Sequence, residues 1–171
     1  MIYLQKYGIS TALSVKIFKY YGAKLYQVLE ENPYQLADNI EGVGFRTADE
    51  IAVRIGIHPD SEFRIRSGLF YVLQQAALEG HVYLPQQVLL HRATQILGVQ
   101  IDEAEKYIMD LCMDRKIVRK EEEDEIRIYP THFYYLELNT AKMLHDLDIS
   151  CKMPEEMMEK RLRKVEEREH V

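Results

Sequence analysis

The segment Gly42-Val43-Gly44 constrains the fold of this chain more than any other feature, because two glycines bracket one apolar residue between two helical stretches. Glycine lets the backbone turn sharply and approach a ligand closely. Tyr34 to Asn39 is predicted as a short helix before the turn. The helix predicted after it, from Phe45 to about Ile55, has the spacing of a buried stripe at Ala48, Ile51, Ala52 and Ile55. The sequence therefore predicts a helix-hairpin-helix corner.

Such a corner suits the binding of a phosphate. The first amides of a helix have no partner within it, and they attract an anion through hydrogen bonds and the helix dipole. We expect the Val43 side chain to be buried in the core between the helices. Arg46 and Thr47 should reach the phosphate that these amides bind. The predicted DNA-binding site is therefore Gly42, Val43, Gly44, Arg46 and Thr47, and it contacts backbone rather than bases. The alternative is a plain helix-turn-helix corner in which the glycines only allow a tight turn between the two helices.

A weaker copy of this pattern lies 34 residues earlier, counting from Gly8 to Gly42. Ser10 stands where the second glycine would be, and it is also a suitable cap for a helix running to about Tyr21, which Gly22 ends. Leu13, Ile17 and Tyr20 are predicted to lie on one apolar face of this helix. A functional and a purely structural interpretation are equally open for this first hairpin. Its candidate DNA-binding residues are Gly8, Ile9, Ser10, Thr11 and Lys16.

Beyond a candidate linker at residues 58–61, the pattern changes from helical to mixed. We expect a helix, a short extended piece at 81–84, and a helix with an apolar stripe at Leu89, Ala93, Ile96 and Leu97. A third helix is predicted to begin at Asp102 as N-cap, with Glu105 completing a capping box, and to run to about Asp114. Two strands follow, at 116–120 and 125–129. This is the element order of a winged helix.

The predicted fold is therefore mainly α and has three parts. Residues 1–58 form a tandem helix-hairpin-helix domain, residues 60–130 a winged-helix-like α+β domain, and residues 131–171 a set of C-terminal helices. The last of these, over 154–171, is charged and carries only Met158, Leu162 and Val165 on one side.

The charge balance is unusual for a DNA-binding protein, since the formal net charge is -6. Acidic residues outnumber basic ones in residues 1–60, 61–130 and 131–171, by 7 to 6, 12 to 9 and 9 to 7. Binding to DNA must then be local and weak, with few phosphates neutralised. The alternative function is a protein-interaction module that docks a motor or repair partner without touching DNA. For residues 60–130 the docking role is favoured, because the tip of the predicted hairpin, residues 121–125, is entirely acidic.

Sequence motifs for catalysis are missing. No glycine begins a GxxxxGK[ST] phosphate loop, the six histidines lack metal-ligand spacing, and no carboxylate pair stands apart as general acid and base. We expect no catalytic residue, metal or cofactor in this chain. Cys112 and Cys151 are far apart and fit reduced thiols. With no signal-peptide layout and no apolar run long enough to span a membrane, the expected location is the cytoplasm.

Several short motifs together resemble one known family. The runs Asn32-Pro33-Tyr34-Gln35-Leu36, Glu41-Gly42-Val43-Gly44-Phe45 and Ala48-Asp49-Glu50-Ile51-Ala52 resemble the helix-hairpin-helix region of RecD-like helicases, the RecD/TraA branch of bacterial superfamily 1. The similarity is specific over residues 1–58 and looser to Tyr129. It implies an accessory region that lies ahead of an ATP-dependent motor moving 5′ to 3′ on single-stranded DNA. It also implies ATP and Mg in that motor, and DNA and the motor domains as partners.

Overall fold

The computed structural model describes residues 9–147 and 155–169. The chain divides into two compact units, residues 1–135 and residues 136–171. The predicted helical first part is present, with one short 3₁₀ turn at Gly22–Lys24. Over residues 9–58 the α-helices are α1 (Thr11–Tyr21), α2 (Leu25–Glu31), α3 (Gln35–Asn39) and α4 (Phe45–Ile55).

Local chemistry explains where these helices begin and end. Ser10 caps α1, because its hydroxyl oxygen accepts a hydrogen bond from the Leu13 N–H at 3.3 Å. Gly22 ends that helix at a positive φ of 55°. Asn32 ends α2 immediately before a proline, as expected for a residue that proline excludes from the helical region. Helix α4 ends at Gly56, which adopts the left-handed conformation typical of a helix C-terminus.

The mixed second part contains the predicted order of helix, short strand, two helices and two strands. Its elements are α5 (Glu62–Leu78), β1 (Leu84–Pro85), α6 (Gln86–Leu97), α7 (Ala104–Met113), β2 (Ile117–Glu121) and β3 (Ile126–Pro130). The three strands form one antiparallel sheet in the order β1-β3-β2. Ile128 of β3 is the central residue, since it pairs with Leu84 on one side and Arg119 on the other.

The prediction of a capping box at Asp102 was wrong. Helix α7 begins one residue later than predicted, because Glu103 occupies the N-cap position, and its side chain does not cap the helix. The side chain of Glu105, which the capping box needs, instead accepts a hydrogen bond from the Gln86 amide at 2.8 Å. A contact between distant segments therefore replaces the local one.

Two apolar residues predicted on buried stripes are exposed. Ile96 on α6 is 48% exposed, and Tyr20 on α1 is 61% exposed. In both helices the neighbouring residue takes the inward position, because Leu97 is buried and Tyr21 packs against the core.

One buried core extends across the predicted linker at residues 58–61. It joins Phe45 and Ile51 of α4 to Ile65 and Leu69 of α5, and it continues to Ile128 of the sheet. Helices α5 and α6 approach each other closely at Gly68, where a Cβ atom would lie 2.7 Å from Leu97 Cδ2 and would force the Leu97 side chain to move. The division of the chain near residue 58 stays a prediction.

Two further helices complete the described chain. Helix α8 (Thr131–Leu147) begins in the first unit, and α9 (Glu155–Glu169) lies in the second. The stripe predicted on α9, Met158, Leu162 and Val165, is exposed. Among the described residues no helix is both long and apolar enough to cross a membrane.

Candidate nucleic-acid interface

The hairpin between α3 and α4 is a tight turn with one buried side chain. The Val43 N–H donates to the Ile40 carbonyl at 3.0 Å, and the Val43 side chain is 5% exposed. Gly42 has a φ of 96°, in the left-handed region that side chains disfavour. Gly42 and Gly44 are both exposed. The hairpin therefore turns its valine inward and its glycine backbone outward, as predicted.

The amides at the start of α4 are available to a ligand. The first hydrogen bond of this helix runs from the Ala48 N–H to the Gly44 carbonyl at 3.1 Å. Within residues 9–147 and 155–169, the N–H groups of Phe45, Arg46 and Thr47 donate to no backbone carbonyl, and Gly44 carries no side-chain cap. Three donors thus lie at the positive end of the helix dipole, where an anion is favoured.

Nothing within the described chain requires glycine at position 44. Its backbone is extended, with a φ of −92° and a ψ of 173°. A Cβ atom built there meets no other atom within 4 Å. Neither strain nor crowding explains this glycine, in contrast to Gly42. What it does provide is open space in front of the free amides.

The side chains of Arg46 and Thr47 lie in the first turn of α4. Arg46 is exposed, and Thr47 is partly buried. Arg46 has no carboxylate within ion-pairing distance in the described part of the chain. The structure therefore places all five predicted residues of the second hairpin together, with one cation free to meet an anion.

An aromatic stack holds this helix start in place. The Phe45 ring lies between those of Tyr34 and Tyr71, with ring centroids 5.9 and 5.0 Å away. The Tyr34 hydroxyl donates to Asp49 Oδ1 at 2.7 Å. Burial, and then the Asp49 carboxylate, raise the pKa of Tyr34 well above its usual value. The tyrosine therefore remains a neutral donor at physiological pH.

Arg64 completes this support from α5, and the sequence analysis missed it. Its guanidinium donates to Asp49 Oδ1 at 2.8 Å and to Asp49 Oδ2 at 3.0 Å, and also to the Leu97 carbonyl at 3.0 Å. The hydrogen bond that Arg64 donates to Asp49 raises the pKa of Arg64. Asp49 and Arg64 are 15 residues apart, on different helices, so no local spacing indicates that they meet.

The first hairpin is built differently from the second. Gly8 lies outside the described residues. Ile9 is buried, as Val43 is in the second hairpin, and Thr11 is exposed. The Ser10 hydroxyl accepts the Leu13 N–H, which is the third amide of α1. The first hairpin therefore supplies a partner for the third amide of its helix. In the second hairpin the equivalent amide, that of Thr47, has no such cap.

Lys16 was predicted as part of the first hairpin, and the structure places it close to the second hairpin as well. It lines an open groove of about 380 Å³ together with Lys19 and Tyr20 of α1 and with Asn39, Ile40 and Glu41. The groove ends where the glycine hairpin begins. A cation from the predicted first site is thus adjacent to the second.

Within residues 9–130, the lysines and arginines without an ion pair are concentrated in residues 9–58. In residues 61–130, eight of the nine lysines and arginines form ion pairs. Arg64 and Lys116 of that part also neutralise Asp49 and Asp38 of the first part. Over residues 9–58, within the described chain, five cations then have no carboxylate partner: Lys16, Lys19, Lys24, Arg46 and Arg54. Ion pairing therefore offsets the acidic composition where the glycine hairpin lies.

In residues 61–130, by contrast, the exposed charge at the β2–β3 turn is negative. Around the β2–β3 turn, Lys120 pairs with Glu122 at 2.8 Å and Arg127 pairs with Glu125 at 2.6 Å, while Arg119 pairs with Glu121. These three cations are thus neutralised by their acidic neighbours. Glu123 and Asp124 remain exposed at the tip. This turn presents negative charge.

The described residues contain no cluster of three or more histidine, cysteine, aspartate or glutamate side chains suited to a metal. Cys112 is a free thiol, and its burial raises its pKa. Cys151 lies outside the described residues.

Comparison with known proteins matches this part of the chain to one family. A family model described as the ATP-dependent RecD2 DNA helicase HHH domain, where HHH denotes helix-hairpin-helix, matches residues 1–83. The ATP-dependent RecD2 DNA helicase of Deinococcus radiodurans is 32% identical over 84 residues. That alignment covers 48% of this chain and 12% of the relative. The match includes the glycine hairpin and the helices on both sides of it.

Proposed function

We propose that this chain binds the DNA backbone without reading its sequence. The match of residues 1–83 to the helix-hairpin-helix domain of ATP-dependent RecD2 DNA helicases supports this proposal. The observation that carries the proposal is the start of α4. Three free amides, an exposed arginine and an uncrowded glycine converge there. A phosphate accepts hydrogen bonds from such amides, and every nucleotide offers one, so the contact is independent of base identity.

We further propose that the chain is an accessory region of a longer ATP-dependent helicase that moves 5′ to 3′. It spans 12% of the length of the relative that it matches. In this proposal the motor domains of the same polypeptide hold ATP and Mg, and the protein works in the cytoplasm. The chain itself holds DNA close to the motor and contributes no catalytic residue. Its DNA affinity is weak on its own, with a dissociation constant of roughly 10⁻⁶ to 10⁻⁴ M at physiological salt.

Residues 62–130 are proposed to be a winged-helix-like module that docks protein rather than DNA. The β1-β3-β2 sheet and the order of its helices support this fold. The acidic β2–β3 turn supports the docking role, because phosphates are repelled by exposed carboxylates such as Glu123 and Asp124. The motor domains and a repair protein are the two candidate partners.

A binding titration tests the central proposal. Fluorescence anisotropy at about 20 mM salt should show the whole chain binding labelled single-stranded and forked DNA. Arg46→Glu should weaken binding by about tenfold or more, since it replaces an attraction at the phosphate with a repulsion. Arg54→Glu is the matched control. Arg54 is also an exposed, unpaired arginine of α4, but it lies in the last turn of that helix.

The outcomes separate the proposal from its rival. If wild-type protein binds neither DNA at low salt, or if Arg46→Glu and Arg54→Glu behave alike, the helical hairpins are a docking module that touches no DNA. The net charge of -6 is the observation that favours this rival.

A further inference from the structure

The groove between α1 and the glycine hairpin carries the chemistry of an unpaired nucleotide site. Its walls combine two lysines, Lys16 and Lys19, with the ring of Tyr20. The far wall is Asn39, Ile40 and Glu41, which lead directly into Gly42. A strand whose phosphate is held at Gly44 can therefore continue into this groove.

Tyr20 is exposed and held in place. The residue is 61% exposed, and its ring packs edge-on against that of Tyr21, with ring centroids 4.8 Å apart and planes at 68°. Tyr21 is fixed in turn, because its hydroxyl donates to the Gln35 carbonyl at 3.0 Å and accepts from the Asn39 amide at 2.8 Å. A ring fixed in this way is a suitable platform for a base.

Lys16 and Lys19 lie one helical turn apart on the same side of α1. Both are exposed, and neither has a carboxylate within ion-pairing distance among the described residues. Two unpaired cations beside an exposed aromatic ring match the pattern of sites that bind single strands. In a duplex the faces of the bases are stacked on one another, so a side-chain ring has no base face to contact.

We propose that Lys16, Lys19 and Tyr20 bind one unpaired nucleotide next to the phosphate held by the glycine hairpin, so that this domain prefers single-stranded DNA to duplex. This inference rests on the proposed function, because the hairpin supplies the neighbouring phosphate contact. Tyr20 stacks on the base, and the two lysines attract the flanking phosphates. The Glu41 carboxylate, on the opposite wall, repels the same phosphates and so limits the affinity for DNA.

The test uses the whole chain and three probes of equal length: an oligo-dT strand, a strand of abasic sugar-phosphate, and a blunt duplex. Tyr20→Ala should weaken binding to oligo-dT by about five- to 150-fold, which is the range for the loss of one stacked base. Binding to the abasic strand and to the duplex should stay within about twofold of wild type, because neither offers a free base face. Tyr20→Phe retains the ring and should bind all three probes as wild type does.

Charge variants test the lysines separately. Lys16→Glu combined with Lys19→Glu should weaken binding to oligo-dT and to the abasic strand alike, since lysines contact phosphates. Lys24→Glu is the matched control, because Lys24 is also exposed and unpaired in the described chain but does not line the groove. Glu41→Gln should tighten binding to both strands by about two- to fivefold.

Two results distinguish failure here from failure of the proposed function. If Tyr20→Ala changes binding to all three probes equally, or to none, while Arg46→Glu still weakens all of them, the nucleotide site is refuted and the hairpin contact stands. If wild-type protein binds no probe at low salt, both proposals are refuted.

Discussion

The Arg64 guanidinium donates hydrogen bonds to both carboxylate oxygens of Asp49, at 2.8 and 3.0 Å, and thereby joins α5 to the helix that begins at the glycine hairpin. Both side chains are largely buried, with exposed fractions of 12% for Arg64 and 20% for Asp49. The Tyr34 hydroxyl bonds the same carboxylate at 2.7 Å. Three segments that are distant in sequence thus meet at one acidic side chain, and the candidate phosphate site lies one turn away on α4.

Removal of the arginine should destabilise the fold. Arg64→Ala leaves the Asp49 charge partly buried and without its cation, so we expect the free energy of unfolding to fall by about 2 kcal/mol. Urea unfolding followed by circular dichroism measures the loss. The control is Arg92→Ala, which removes the more exposed ion pair with Glu79 and should cost less than about 1 kcal/mol. Equal losses in the two variants would contradict a structural role for the Arg64–Asp49 pair.

The raised pKa of Tyr34 predicts a stability loss at alkaline pH. The folded state keeps the phenol protonated, mainly because it is buried, while the unfolded chain releases the proton near pH 10. The stabilisation is therefore complete below about pH 10 and is lost as pH rises above it. We expect Tyr34→Phe to lower the free energy of unfolding by about 1 kcal/mol at neutral pH, through loss of its hydrogen bond. Between about pH 9 and pH 11 the variant should then lose less stability than wild type.

Urea titrations at several pH values measure this difference. Tyr20→Phe serves as the control, because the Tyr20 ring is largely exposed and donates no hydrogen bond to Asp49. If the alkaline loss is the same in wild type and Tyr34→Phe, the buried phenol does not contribute to it.

The helices were predictable because their signals are local. Helix α4 begins and ends where its apolar spacing and the preceding glycine turn predicted. Ser10 and Gly22 mark the two ends of α1 as predicted, because a cap acts within one turn of its helix. The buried Val43 between exposed glycines also follows from the hairpin motif itself.

What the sequence could not supply depends on contacts between distant segments. The start of α7 was misplaced because Glu105 bonds Gln86 rather than its own helix. Tyr20 was predicted on the buried face of α1, whereas Tyr21 is held inward by Gln35 and Asn39 from α3. The free cations near the hairpin could not be counted from composition either, because Lys116 neutralises Asp38 from 78 residues away.

The two glycines of the hairpin should respond differently to substitution. Gly42 has a φ of 96°, so Gly42→Ala imposes backbone strain and should lower the free energy of unfolding by about 1 kcal/mol or more. Thermal or urea unfolding detects this change. Stability unaffected by Gly42→Ala would mean that the turn relaxes to another conformation without cost.

Gly44→Ser should separate stability from DNA binding, because the two are expected to change in opposite directions. Position 44 is the N-cap of α4, its backbone is extended, and a Cβ atom has open space there. Serine is a better N-cap than most residues, since its hydroxyl accepts the N–H of the second or third helical residue, as Ser10 does at Leu13. We therefore expect the free energy of unfolding to stay constant or to rise by a few tenths of a kcal/mol.

The same hydroxyl occupies a donor that the proposed phosphate needs, and the new side chain fills the space in front of the amides. DNA affinity in low-salt anisotropy titrations should fall by about fivefold or more, which corresponds to one lost hydrogen bond of about 1 kcal/mol. Gly98→Ser is not a suitable control, because Gly98 has a positive φ of 67°. Asp60→Ser is better, since Asp60 is exposed in the turn before α5. A stable Gly44→Ser protein that binds DNA as tightly as wild type would show that these amides do not hold the phosphate.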